Sequence, residues 1–96
     1  MQTEYLIAID EFCTKHDIEV SFISSLQQTG LIEITMVEDL GFIQADQIRE
    51  LEKYIRFYYE LDINLEGIET ISHLLQQVTD LQDEITGLRN KLGLYE

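Results

Sequence analysis

The most constraining feature of this sequence is a series of apolar residues that recur at alternating gaps of three and four between residues 71 and 92. The series comprises Ile71, Leu74, Val78, Leu81, Ile85, Leu88 and Leu92. This heptad spacing places one narrow apolar stripe along one side of an α-helix, as in a coiled coil. At a rise of about 1.5 Å per residue, such a helix would be on the order of 40 Å long. A small domain cannot cover that length, so the far end of the helix needs a partner.

The long helix is predicted to begin at Asn64, whose side chain can accept hydrogen bonds from free amides of the first turn. Leu75 broadens the apolar stripe between Ile68 and Val78, so this section should pack against its own domain. Past this section only the narrow stripe remains, and we predict that it forms a homodimer interface. The predicted interface residues are Val78, Leu81, Ile85, Leu88 and Leu92. Charges beside the stripe fit a parallel or an antiparallel pair, so its orientation stays open.

Two short helical patterns precede the long helix. The stretch Tyr5–Ile9 can start as a strand or lead directly into the first helix, and the pair His16-Asp17 interrupts the helical periodicity. A second pattern opens at Ser21 and ends at Gly30, a typical helix stop. Two short helices joined by a tight turn indicate a helix-turn-helix unit.

The periodicity changes from helical to alternating at Leu31. Apolar residues alternate with polar ones up to Met36, and the apolar pair Phe42-Ile43 follows after an acidic stretch. This pattern indicates a hairpin or wing, with Gly41 supplying the turn geometry. A further helix should then start with Asp46 as its cap. The predicted apolar face of this helix comprises Ile48, Leu51, Ile55, Tyr58 and Leu61.

The same helix carries three further rings, Tyr54, Phe57 and Tyr59. We interpret them as core or half-buried surface, with cover by a neighbouring chain as the alternative. The predicted organisation is a helix-turn-helix domain with a wing over residues 1–64, followed by a dimerisation helix over residues 65–96. The fold class is mainly α, with a short β-hairpin and a long C-terminal coiled-coil helix.

The charge of the chain restricts its partners. Asp and Glu number 19 against six Lys and Arg, which gives a net charge of −13. Such a field repels phosphates and anionic lipid and attracts basic protein surfaces. The single cysteine, Cys13, cannot form an internal disulfide, which favours a reducing cytoplasm. The N-terminal residues lack a basic region, and the apolar runs are too short for a signal or a membrane span, so we expect a cytoplasmic protein without membrane contact.

No motif in the sequence supports an enzyme, a cofactor or a metal. Cys13 and His16 are three residues apart, but two ligands do not make a zinc site, and the other histidine, His73, lies on the long helix. Nucleophilic catalysis by Cys13 would need a base and an electropositive setting, whereas its surroundings are acidic. The pair Ser24-Ser25 lacks the sequence context of a nucleophile. We therefore expect a non-enzymatic protein.

One segment carries a family resemblance. The sequence FIQADQIRELEKYIRFYYELDINLEGIETISHLL, residues 42–75, resembles the second half of a MerR-type winged helix-turn-helix domain, in which two helices lead into a dimerising coil. Typical DNA-binding members carry an Arg-Tyr-Tyr-like stretch in the second helix and an arginine-rich wing. Here the helix reads SFISSLQQTG and the wing IEITMVEDLGF, so the cations that contact phosphates are missing.

A more specific resemblance is to the CbpM-type chaperone modulators. It rests on the EFC of residues 11–13, the step Gly30-Leu31, and the LDINLEGI of residues 61–68 that runs into a leucine-rich tail. The resemblance implies that the chain binds the J domain of a DnaJ-like or CbpA-like co-chaperone and restrains its stimulation of the chaperone DnaK. J domains resemble one another in carrying a basic helix, so the sign of the charge fits.

Charge counting is independent of that resemblance. Residues 1–43 contain eight acidic residues against Lys15 alone, and DNA would repel a helix-turn-helix so charged. The basic strip of the third helix, Arg49, Lys53 and Arg56, is interpreted as a solvated face. A MerR-like DNA-binding regulator remains the alternative function, and a plain dimerisation module is a third. The candidates for steering a J domain are Glu11, Asp17, Glu19, Glu38 and Asp39.

Overall fold

The computed structural model describes residues 5–93. Its elements, in chain order, are β1 (Leu6–Ala8), α1 (Ile9–His16), α2 (Val20–Gln28), β2 (Thr35–Val37), β3 (Leu40–Gln44), a 3-10 turn (Ala45–Gln47), α3 (Ile48–Ile55), a π-helical turn (Arg56–Glu60) and α4 (Leu65–Gly93). The three strands form one antiparallel sheet in the order β1-β3-β2. The predicted mainly α fold, a winged helix-turn-helix with a short β-hairpin and a long C-terminal helix, is confirmed.

Both helices of the helix-turn-helix end at a residue with left-handed backbone geometry. At the end of α1, Asp17 has φ 56°, and the amide of Ile18 donates to the carbonyl of Cys13 at 3.0 Å. At the end of α2, Gly30 has φ 84°, and the amide of Leu31 donates to the carbonyl of Leu26 at 3.0 Å. These bonds close the last helical turn as in a Schellman motif. The two predicted helix stops are therefore confirmed.

The hairpin turn is made by acidic residues and not by Gly41. Val37 pairs with Leu40, so the loop between the strands consists of Glu38 and Asp39, with φ 52° and 67°. Two successive residues with positive φ form the tight turn that suits the twist of a hairpin. Gly41 instead lies within β3, where a Cβ would come within 2.8 Å of the Ile9 side chain. The prediction that Gly41 supplies the turn geometry is wrong, because its small size serves packing.

The first strand of the hairpin is shorter than the alternation predicted. It begins at Thr35 and not at Leu31. The preceding segment is fixed by Gln47, whose side chain accepts the amide of Glu33 at 2.8 Å and donates to its carbonyl at 2.9 Å. Ile32, beside it, is buried in the core. Side-chain bonds and burial thus replace strand pairing over residues 31–34.

The third helix differs from its prediction at both ends. Asp46 lies inside the 3-10 turn, and Gln47 occupies the position that caps α3. At the other end, the amide of Leu61 donates to the carbonyl of Arg56, five residues back, at 3.1 Å. A π-helical turn holds one residue more than an α-helical turn and rotates all later side chains. Leu61 and Tyr58 are consequently exposed, so the prediction that they continue the buried face is wrong.

One hydrophobic core joins the two helices, the sheet, α3 and the first turn of α4. It comprises Ile9, Phe12, Cys13, Phe22, Ile23, Leu26, Ile32, Ile43, Leu51, Tyr54 and Ile68. The amide of Gly67 donates to the side-chain oxygen of Asn64 at 2.7 Å, so the predicted cap of the long helix is confirmed. Leu74 and Leu75 are exposed, and the expected packing from residue 68 to residue 78 therefore fades after the partly buried Ile71. Over residues 5–93, the structure offers no helix with the length and apolar character of a membrane span.

Candidate functional site

The second helix of the helix-turn-helix presents a neutral polar surface. Its exposed residues are Val20, Ser21, Ser24, Gln27 and Gln28. Hydroxyl and amide side chains can contact bases, but they supply none of the charge that neutralises phosphates. The sequence has no lysine or arginine between Lys15 and Arg49, which covers this helix and the whole wing. Both elements with which a winged helix-turn-helix would contact a duplex therefore lack cations.

The five predicted acidic candidates are exposed but lie in three places. Asp17 and Glu19 belong to the turn between α1 and α2, and Glu38 and Asp39 form the tip of the wing. Glu11 lies on α1, where it lines an open cleft against α3. The candidates thus lie on three elements, the turn between α1 and α2, the tip of the wing, and α1.

An aromatic cluster supports the turn between α1 and α2. The ring of Phe22 lies 4.5 Å from that of Tyr58 and 5.4 Å from that of Tyr59, measured between centroids. The hydroxyl of Tyr59 accepts a hydrogen bond from the amide of Glu19 at 3.3 Å. Helical periodicity did not reveal this cluster, because the π-helical turn brings Tyr58 and Tyr59 to it. The rings fix the backbone of the turn and thereby position its acidic side chains.

One face of the sheet is an apolar surface that the sequence analysis missed. The opposed pairs Ala8 with Phe42 and Val37 with Leu40 point to one side, because opposed residues of antiparallel strands share a face. The other side holds buried Ile43 and packs on the core. We call the first side the outer sheet face. It consists of Leu6, Ala8, Thr35, Val37, Leu40, Phe42 and Gln44.

Every residue of the outer sheet face is exposed or half-buried, and Leu40 retains 59% of its accessible surface. The face includes no ionisable side chain within the described chain, residues 5–93. Strands with one solvated face normally alternate apolar and polar residues. Here both faces are apolar, which is unusual for a sheet that water covers on one side. Detecting this face from the sequence would require the strand register, because the register decides which of residues 35–44 lie on the same side of the sheet.

The basic strip of α3 is largely neutralised. The ammonium of Lys53 lies 3.3 Å from a carboxylate oxygen of Glu50. Arg56 shares a cleft with Glu52 and Glu60. The interpretation of the strip as a solvated face agrees with these neighbours, since Lys53 and Arg56 each have carboxylates nearby. The strip therefore offers little net positive charge to a phosphate backbone.

Cys13 belongs to the hydrophobic core, and His16 packs against the ring of Phe12. Cys13 is buried in the core, and burial, together with the negative charge of Asp10, raises the pKa of its thiol above the usual value. A raised pKa disfavours the reactive thiolate. The ring of His16 lies 4.1 Å from that of Phe12. Among residues 5–93, no three His, Cys, Asp or Glu side chains come together as a potential metal site.

The predicted dimer stripe on α4 is exposed along its length. Val78, Leu81, Ile85, Leu88 and Leu92 retain between 47% and 67% of their accessible surface. Each of these side chains would bury apolar area if a second helix lay against it, and each buried CH₂ group is worth about 0.8 kcal/mol. The interface itself stays a prediction.

Comparison with known proteins gives one match. A family model described as MerR HTH family regulatory protein matches residues 7–90. Curated proteins and solved structures give no match. The match runs from β1 to residue 90 of α4, so it includes the helix-turn-helix, the wing and most of the long helix.

Proposed function

Because the chain belongs to the MerR helix-turn-helix family of regulatory proteins, we propose that it is a regulator that acts on a protein and not on DNA. Its partner is the J domain of a DnaJ-like co-chaperone, whose stimulation of DnaK it inhibits. The observation that carries this proposal is the absence of lysine and arginine between Lys15 and Arg49. The elements available for DNA contact keep their fold but carry no lysine or arginine.

The charge distribution supports a basic protein as the class of partner. The cation-free span holds Asp17, Glu19, Glu33, Glu38, Asp39 and Asp46. Such a surface speeds encounters with a basic protein and slows encounters with a polyanion. A J domain presents a basic helix to DnaK, so a regulator that covers this helix competes directly with the chaperone. The mechanism is steric and electrostatic competition, with no catalytic step, nucleotide or metal.

The functional unit is a homodimer in this proposal. The distal stripe of α4, from Val78 to Leu92, pairs with the same stripe of a second copy. Each copy then carries its own helix-turn-helix and wing at the end of a shared coil. A dimer of this kind presents two partner surfaces, which raises its avidity for a co-chaperone that is itself oligomeric.

Two measurements test the proposal. Calorimetric titration with a J domain from the same organism should show binding that weakens as salt is added, because part of the attraction is between exposed charges. The protein should also lower the ATP hydrolysis that the J domain stimulates in DnaK, without changing the basal rate of DnaK. Absence of binding at low ionic strength would rule the proposal out.

The second candidate is a MerR-like DNA-binding regulator, which the family description favours. It predicts duplex binding that falls steeply with salt, because phosphate contacts release counterions. A shift assay at low ionic strength with mixed genomic fragments distinguishes the two functions. A bound complex there, together with no affinity for J domains, would replace the first candidate by the second.

A further inference from the structure

The outer sheet face has the properties of an apolar anchor for a protein helix. The centre and the tip of this face are occupied by Val37, Leu40 and Phe42, and Leu40 retains 59% of its accessible surface. Phe42 is half-buried on this face, whereas its chain neighbour Ile43, on the opposite side of the sheet, is fully buried. A ring and two aliphatic side chains thus stand on the outer side of two paired strands, of which β3 is held by the core through Ile43. Interface anchors are typically apolar or aromatic side chains on such rigid elements.

Negative charges stand at both ends of this face. Glu38 and Asp39 form the turn at the tip of the wing. Asp46 is exposed just beyond the opposite end of β3. The five residues of β3 span about 17 Å at roughly 3.4 Å per residue. That length equals about three turns of an α-helix at about 5.4 Å per turn.

We propose that the outer sheet face binds the basic amphipathic helix of the J domain, an inference that rests on the function proposed above. The apolar side of that helix packs on Val37, Leu40 and Phe42. Its basic residues flank the contact and meet Glu38 and Asp39 at the tip and Asp46 at the far end. The apolar contact provides affinity, and the acidic ends provide orientation and speed of association.

A second copy of this chain does not fit the same face. Each copy carries a net charge of −13, so its acidic surface would be repelled by the charges at both ends of the face. Its long helix also carries acidic residues along its distal half, at Asp80, Asp83 and Glu84. The stripe of α4 already provides a self-complementary surface for pairing. Charge therefore assigns the sheet face to a basic partner and the helix stripe to a second copy.

Opposite faces of the wing provide a matched test. Leu40 on the outer face and Met36 on the inner side of the hairpin have nearly equal exposure, 59% and 61%. Calorimetric titration of the J domain into the full chain should show affinity reduced at least about tenfold by Val37→Ser with Leu40→Ser. Met36→Ser should leave the affinity within about twofold, since rim substitutions contribute little. Circular dichroism checks folding, and Leu40→Ala is the milder variant if the double substitution unfolds the wing.

The charged ends are tested separately. Glu38→Gln with Asp39→Asn should reduce the association rate and flatten its dependence on salt. The inference is overturned if the outer-face variant binds like the wild type while the wild type binds the J domain, a result that leaves the proposed function intact. Equal losses from Met36→Ser, or a lower mass of the outer-face variant in light scattering, also overturn it. If the wild type does not bind, the proposed function and this inference fail together.

Discussion

The wing and the distal half of α4 both expose apolar side chains, but for different structural reasons. The wing is held by the core, because Ile43 of β3 is fully buried and Gly41 lets the strand approach Ile9. Its apolar outer face is therefore rigid without any partner. On α4, by contrast, every described residue from His73 to Gly93 is exposed, and the leucines of its distal half repeat with the spacing of a coiled coil.

Both regions expose apolar side chains, so exposure alone would not distinguish their roles. The difference in support and spacing does. A rigid apolar surface with acidic ends suits a partner of opposite charge. A regular stripe on an unsupported helix suits an identical stripe, because knobs and holes of two copies interlock. Substitutions in each region can test whether the wing is rigid by itself and whether the distal stripe of α4 pairs with a second copy.

The largest expected effect is loss of the proposed dimer. Ile85→Asp with Leu88→Asp places two charges in the stripe, and burial of unpaired charge costs several kcal/mol per group. Light scattering should then give the mass of a folded monomer. The matched control is Thr86→Asp with Asn90→Asp, which adds the same charge on the opposite side of the helix and should remain a dimer. A double aspartate variant with unchanged mass would show that the stripe is not the interface.

The second prediction compares equal truncations in the two regions. Leu26 is fully buried, whereas Leu81 is 58% exposed. In the monomeric background just described, Leu26→Ala should lower the free energy of unfolding by about 2–5 kcal/mol. Leu81→Ala should change it by less than about 0.5 kcal/mol, as surface substitutions do. Urea unfolding measures both, and equal losses would mean that distal α4 folds back onto its own domain.

The third prediction uses Cys13 as a reporter of the globular half. Because burial and Asp10 raise the pKa of its thiol, a thiol reagent should modify the native protein at least about tenfold more slowly than the urea-unfolded chain. Above the ordinary pKa of a thiol, the unfolded chain binds fewer protons than the native one. The free energy of unfolding should consequently fall as pH rises through that range. Cys13→Ala should flatten this part of the pH profile, and labelling at equal rates would contradict burial.

The helix-dominated parts of the fold could be predicted because their signals are local. Gly30 adopts the positive φ at which α2 ends, and Asn64 carries the side-chain oxygen that caps α4. The heptad spacing likewise identifies the exposed stripe on one helix without knowledge of any tertiary contact. The predicted end of the core-facing segment at Val78 lies too far along the helix, because Leu74 and Leu75 are already exposed.

The errors lie where a distant contact decides the structure. Gly41 looks like a turn residue until the side chain of Ile9 is seen against it. Asp46 looks like a helix cap, but Gln47 fixes the residues before α3 through its bonds to Glu33. The π-helical turn after Ile55 changes which rings are buried and has no simple sequence signal. The outer sheet face was missed for the same reason, since it exists only once the strand register is known.

The smallest effect compares two glycines on α4, one at each end. Around Gly87 no described residue beyond the backbone of its own helical turns comes within 4 Å of an added Cβ, so Gly87→Ala should stabilise the helix by about 1 kcal/mol through helix propensity. At Gly67 a Cβ would lie 2.7 Å from Ile63 Cγ2 and 3.1 Å from the capping oxygen of Asn64. Gly67→Ala should therefore gain less than Gly87→Ala or lose stability, because the cap and the side chain of Ile63 must move. Thermal melts followed by circular dichroism compare them, and equal stabilisation by both would show that the first turn of α4 is as unconstrained as its distal half.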